Sequence, residues 1–530
     1  MRNLELPGRS PVMSTNGMAA TSSPLATQTA IDVLKAGGNA MDASIAACAV
    51  QCVVEPNSTG IGGDCFALYA PQGSTDVVAF NGSGRAPAAA TLEKLTELGV
   101  TSLEQTSPHA AIVPGAIDAW CRLNADHGRM SMAELLQPAI DLARNGYPVT
   151  QRLFADFNHL KNHIKSNANL SDIFLKNDEV PALGSLHHNP KLASALEVIA
   201  KEGRDGFYSG ELAQEMVDTL QQLGGLHTLE DFAEVQGTYE NTITTEYRGH
   251  IVHECPPQGQ GMIALLMLNM MRNVPVDPEL LSADRIHMEL ETCRRGYAAR
   301  GKYLADPAQV DVAVSELLSQ KYADQLRDDI DPAQARHPDE ALNLTPHSDT
   351  VFISVVDKDR NACSFINTVF DGFGTAITTP KSGIVFTNRG QGFVLEEGHP
   401  NCIAPRKRPL HTIIPGMLEK DGKIVMSFGV MGGHYQAMGH LQFLTRVFDY
   451  GMDVQAAMDA PRFMVDPFTG EVEIEGAVPD EIVEDLKARG HKIAPAARPI
   501  GGSQAVAINW DNGVLTGGSD PRKDGCAIGY

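Results

Sequence analysis

The residues best placed for chemistry lie in segment 343–370, NLTPHSDTVFISVVDKDRNACSFINTVF, whose pattern is a β-hairpin led by a threonine. Residues 350–356 are rich in β-branched and aromatic side chains, 357–361 form a polar turn, and 362–370 resume the strand pattern. Thr350 opens the first strand. Were the bond between Asp349 and Thr350 cut, Thr350 would carry a hydroxyl nucleophile and a free α-amine on one residue. An α-amine has a pKa of about 7.7–8.0, so near neutral pH it can serve as the base that a threonine hydroxyl needs. Taken alone, a threonine opening a strand is more simply explained by its fit to a pleated surface.

The elements that must position this hairpin lie on both sides of it. Ser23-Pro24 signals a helix running to residue 35, and Asn39, with Asp42 near the positive end, caps a second, Ala-rich helix running to residue 53. A Gly-rich loop, Gly60-Ile61-Gly62-Gly63, leads into a strand at 66–69 and another at 77–80. The middle of the chain is helical in pattern, at 133–145, 191–202, 211–223, 261–271, 283–304 and 314–328, with one strand at 247–253. Strands return at 350–356, 362–369, 384–386, 423–428, 471–474, 505–509 and 513–518, separated by helices at 435–450 and 480–489. No linker divides the chain, so strands near both ends imply one large α/β core assembled from both parts.

Several other chemistries are excluded. The Gly60–Gly63 loop lacks the GK[ST] ending of a P-loop and the GxGxxG of a dinucleotide fold, so it reads as a tight turn. His187-His188 has no HExxH spacing and reads as surface, and no GxSxG nucleophile elbow occurs. The nine cysteines are scattered without metal-ligand spacing, and Cys48 and Cys52, on one helix face, read as small buried hydrophobes. Neither a metal nor a cofactor is expected. With 65 acidic against 42 basic residues, the net charge of −23 repels phosphate backbones, so nucleic acid is not a partner. The N-terminus has no apolar signal region, and the longest apolar stretch, near 262–271, is far short of the ~20 residues that span a bilayer. A soluble, cytoplasmic protein is expected.

With these segments placed, the chain resembles the γ-glutamyltransferase family of N-terminal-nucleophile (Ntn) hydrolases over nearly its whole length. The matching stretches come in order: NGMAATSSPLATQTAIDVLKAGGNAMDASIAA, GIGGDCF, VPGAIDAW, YRGHIVHECPPQGQG, DTVFISVVDKDRNA, KRPLHTIIPGML, GVMGGHYQ, DYGMDVQAAMDAPRF and GGSDPRKDGCAIGY. The resemblance implies an αββα sandwich, with two stacked, mainly antiparallel sheets between helical layers. It also implies synthesis as a precursor that cuts itself between Asp349 and Thr350, giving a large subunit, 1–349, and a small subunit, 350–530. These two fragments form a heterodimer; further oligomerisation is left open. Thr350 becomes the nucleophile, Gly432 and Gly433 supply backbone donors for the oxyanion, and Thr368 falls where the family has a second threonine contacting the nucleophile's amine. An acyl-enzyme is then resolved by water or by an acceptor amine.

The chain departs from the family where the substrate is recognised. Phe370 stands at an asparagine position and Gly392 at the aspartate position that holds the α-amine of a γ-glutamyl group. His411-Thr412 replaces two serines, and the carboxylate-binding arginine falls near Ser83, two residues before Arg85. An ammonium buried without a partner costs several kcal/mol, so the preference for an α-amino acid should be lost. Arg85, Arg389, His411 and Thr412 remain as candidates to bind a carboxylate. The expected substrate is a small amide bearing an anionic group, with oxamate as the best fit within the family. The alternatives are a γ-glutamyltransferase or glutathione hydrolase, a cephalosporin-acylase-like enzyme, and a non-catalytic binding or assembly protein.

Overall fold

The computed structural model describes residues 4–5, 8–336 and 350–530; Asp349, and with it the expected cleavage bond, lies outside the described residues. At the centre are two seven-stranded sheets. One orders its strands Cys526–Gly529, Met18–Thr21, Val351–Val356, Ala362–Thr368, Asp64–Ala70, Val78–Gly82 and Thr238–Asn241. The other orders them Val12–Ser14, Leu515–Ser519, Gly502–Ile508, Lys423–Met431, Pro415–Lys420, His250–Glu254 and Ile243–Tyr247. Every pairing within both sheets is antiparallel, and both mix strands from before residue 337 with strands from after residue 349.

Strand alternation sorts the hairpin's side chains into two cores. Phe352, Val356, Ala362 and Ile366 face the second sheet, packing with Phe66, Met417 and Val506. Ile353, Val355, Cys363 and Phe365 face outward, into a core shared with the helix Ala40–Val54. That helix is buried along its whole length, which its small Ala and Cys side chains allow. It is capped by a reciprocal Asn39/Asp42 box, and the Asp357 carboxylate in the hairpin turn also accepts from the Ala40 N–H at 3.0 Å. The helices Gly261–Met271 and Tyr435–Asp449 cover the outer face of the other sheet. The order of layers is therefore αββα, as expected.

Several elements differ from the sequence reading. The expected strand at 247–253 is a hairpin, Ile243–Tyr247 and His250–Glu254, turning at Arg248 and Gly249. Residues 384–386 form no strand, with only an isolated bridge between Thr378 and Val385, because the chain there folds into a buried loop. The single helix expected over 314–328 is two, Val314–Leu317 and Gln320–Asp328, since Ser319 caps the second. Ser23 precedes its helix without a side-chain cap bond. His188 is exposed, as expected, but His187 is buried, with its ring stacked 5.2 Å from that of Phe174.

Candidate functional site

The register of the hairpin places the two threonines together. Val351 pairs with Asn367, so the next pair out is Thr350 with Thr368, and alternation turns both toward the crevice between the sheets. Both are buried, and the Thr350 hydroxyl donates to Thr368 Oγ1 at 3.5 Å. The Phe370 N–H donates to the same Thr368 oxygen at 2.9 Å, which fixes it as an acceptor toward the strand end. The Gly-rich loop closes over this edge. A Cβ on Gly63 would lie 2.1 Å from the Thr368 carbonyl oxygen, so close backbone approach explains that glycine. Asn367 ties the loop down by donating to Thr59 Oγ1 at 2.8 Å.

Gly432 and Gly433 follow the strand Lys423–Met431 and lead into the helix Tyr435–Asp449. Their φ angles are 121° and 57°, and a Cβ on Gly432 would meet Gly501 Cα at 2.9 Å. Only glycine fits such a turn, and it leaves backbone N–H groups at the positive end of a helix. Gln260 braces the turn, its Nε2 donating to the carbonyls of Gly433 at 2.9 Å and Thr412 at 2.8 Å. Behind it, Arg300 donates to Gln260 Oε1 at 2.8 Å, and burial pushes that guanidinium down to about 10.

Arg389 is fully buried, with its guanidinium centred 3.8 Å from the Phe370 ring centroid. Its Nη1 donates to Thr412 Oγ1 at 3.0 Å, and its Nε lies 3.6 Å from Asp64 Oδ2. Its Nη2 has no hydrogen-bond partner among the described residues. Burial holds the Arg389 pKa down to about 9, against the opposing pull of Asp64 and Asp371. His411 Nε2 sits 3.1 Å from Asp64 Oδ2, while its Nδ1 accepts from the Ile413 N–H at 3.4 Å, which makes Nε2 the donor. Asp64 also accepts from the Gly84 N–H at 2.7 Å. Burial raises the Asp371 carboxyl to about 6 despite a hydrogen bond from Asn388.

The structure thus brings Arg389, His411 and Thr412 into one cluster around Asp64. Arg85 stands apart from it. Its side chain donates to the Arg406 carbonyl at 3.1 Å and lies 4.0 Å from Asp306, in an outer cavity of about 340 Å³ shared with Asp231, Glu234 and Arg406. Two further residues went unread in the sequence. Asp64 lies within the GIGGDCF stretch, where an acid directly after two glycines at a strand entry is a legible signal. Gln436, in GGHYQ, donates from Nε2 to Thr350 Oγ1 at 3.4 Å. Among the described residues no group of three or more His, Cys, Asp or Glu side chains could hold a metal ion.

Comparison with known proteins places this architecture. The family model for gamma-glutamyltranspeptidase matches residues 26–530. The chain is 36% identical to the glutathione hydrolase-like YwrD proenzyme of Bacillus subtilis (strain 168), covering 98% of this chain and 99% of that protein. It is 32% identical to the oxamate amidohydrolase proenzyme of Klebsiella pneumoniae, with 98% and 99% covered. Among solved structures, cephalosporin acylase from Bacillus halodurans superposes with a TM-score of 0.91 at 36% identity, over 100% of this chain and 99% of that one. With the Ntn-hydrolase sandwich and the threonine hairpin, these matches establish that the chain belongs to the gamma-glutamyltranspeptidase family of amide-cleaving enzymes.

Proposed function

We propose that this protein is a self-cleaving amide hydrolase that uses Thr350 as its nucleophile and takes a small amide whose acyl part carries a carboxylate. Cleavage at Asp349-Thr350 would give subunits 1–349 and 350–530, held together by their shared sheets. The α-amine of Thr350 takes the proton of its own hydroxyl as Oγ1 attacks the amide carbon, and the Gly432-Gly433 N–H groups receive the oxyanion. Collapse breaks the C–N bond, the departing amine takes the proton, and water, or an acceptor amine, cleaves the ester.

The observation that carries the substrate reading is Arg389. A guanidinium buried with an N–H group lacking a partner costs about 1–3 kcal/mol, a cost that a bound carboxylate removes. Phe370 holds one face of the guanidinium and Thr412 one edge, so the remaining edge is oriented before substrate arrives. At the position of the family's amine-binding aspartate, Gly392 offers no anion for an α-ammonium. Oxamate, a carboxylate joined to a primary amide, has this chemistry, and the similarity to an oxamate amidohydrolase supports it. The similarity to a cephalosporin acylase structure favours a second reading, a larger carboxylate-bearing amide. That all nine cysteines are unpaired agrees with a cytoplasmic site of action, and among the described residues no helix is long and apolar enough to cross a membrane.

Ammonia or amine release from oxamate, glutamine, a γ-glutamyl anilide and a glutaryl amide tests the proposal. Turnover of the carboxylate amides that lack an α-amine supports it. Preference for the γ-glutamyl compounds by orders of magnitude overturns it.

A further inference from the structure

We propose that Gln436 is a catalytic residue, a side-chain donor to the nucleophile oxygen that drives breakdown of the acyl-enzyme; the inference rests on the threonine-nucleophile reading above. Gln436 lies in the first turn of the helix Tyr435–Asp449, fully buried, three residues beyond Gly433. Its Oε1 accepts from the Ile414 N–H at 3.1 Å, which fixes the orientation of the amide and directs Nε2 to the threonine hydroxyl. Two side chains among the described residues therefore reach Thr350 Oγ1 in complementary roles, Thr368 as acceptor and Gln436 as donor. At 3.4 Å the bond is long, as catalytic hydrogen bonds are before charge develops on the acceptor.

The donor matters most when Oγ1 is a leaving group. In deacylation, water adds to the ester carbon and gives one proton to the Thr350 α-amine. The C–Oγ1 bond then breaks, its electron pair stays on Oγ1, and the ammonium returns the proton to that oxygen. Negative charge grows on Oγ1 during this collapse, so the bond from Nε2 strengthens in the transition state and not in the resting ester. Because Ile414 follows His411 and Thr412, the same amide ties the nucleophile to the loop that orients Arg389.

The test compares wild type with Gln436→Met, which removes donor and acceptor, and Gln436→Glu, which keeps an acceptor for the Ile414 N–H. For both variants we expect kcat to fall about 10- to 100-fold, below the full loss known for an oxyanion donor, with KM within about threefold. The small fragment should carry a stable acyl adduct in intact-mass spectra during turnover. Self-cleavage of fresh precursor should slow as well, since Oγ1 leaves from the ester made with the Asp349 carbonyl. A kcat within about twofold of wild type, a KM rise at unchanged kcat, or slow turnover without the adduct overturns the role. Wild type that neither cleaves itself nor turns over any amide would instead sink the nucleophile reading, and the two failures are thus distinguishable.

Discussion

Arg389 is buried against Phe370 and anchored by Thr412 and Asp64, so its charge is aimed before any ligand arrives. Replacing it by glutamine should raise KM for a carboxylate amide at least about 30-fold, because a buried charge left without its partner costs about 2–5 kcal/mol. Steady-state kinetics on the self-cleaved variant check this, and an unchanged KM would remove Arg389 from the acyl pocket. Burial lowers the pKa of the guanidinium, but with Asp64 and Asp371 beside it the group keeps its charge. At this scale the place of Thr350 at the head of a hairpin was legible because a strand pattern surrounds it. The contact of Gln436 with it was not, because a glutamine in a helix's first turn looks like any other, and only the fold sets it against a threonine 86 residues earlier. Arg85 misled for the converse reason: it lies past the end of the strand Val78–Gly82, where strand alternation no longer sets the direction of a side chain, and it turns to the Arg406 carbonyl.

The hairpin Val351–Val356 and Ala362–Thr368 is the element that makes the site, and its stability rests on what lies between the sheets. Phe352 fills that layer, and the Gly429 backbone approaches so closely that a Cβ there would meet the ring at 2.3 Å. Truncating Phe352 to alanine should cost about 3–5 kcal/mol. Urea unfolding in a Thr350→Ala background, where both proteins are single chains, measures it, and a loss under about 1 kcal/mol would contradict this packing. The long periodic elements could be read from sequence, since the run 261–271 became the helix Gly261–Met271 without change. Pro415–Lys420 could not, because a strand carrying Pro, Gly and two charges is held by its neighbours on both sides and not by its own propensity. The run 384–386 failed in the opposite sense, being strand-like residues whose backbone bonds go to the neighbouring loop 375–379, in one isolated bridge, and not to a sheet.

Across the whole molecule, strands from before residue 337 and after residue 349 interleave in both sheets. Neither fragment can leave without opening a sheet, so the two should coelute through size-exclusion chromatography and part only in denaturant. Stability should also report the buried carboxylate beside the site. Asp371 titrates near 6 when folded, against an ordinary value of 3.8, so between those values the folded state holds the extra proton. Stability therefore falls as pH rises from about 4 to about 6, by roughly 3 kcal/mol for this group. Asp371→Asn should show a flatter profile over that window in thermal unfolding, and an identical profile would contradict the assignment.

Whether the chain makes its own nucleophile at Thr350 is read by intact-mass analysis and N-terminal sequencing of the purified protein. Wild type should give two fragments, the smaller beginning at Thr350, and Thr350→Ala one uncut chain. An active wild type that stays whole, or a fragment that begins at any other residue, would contradict it.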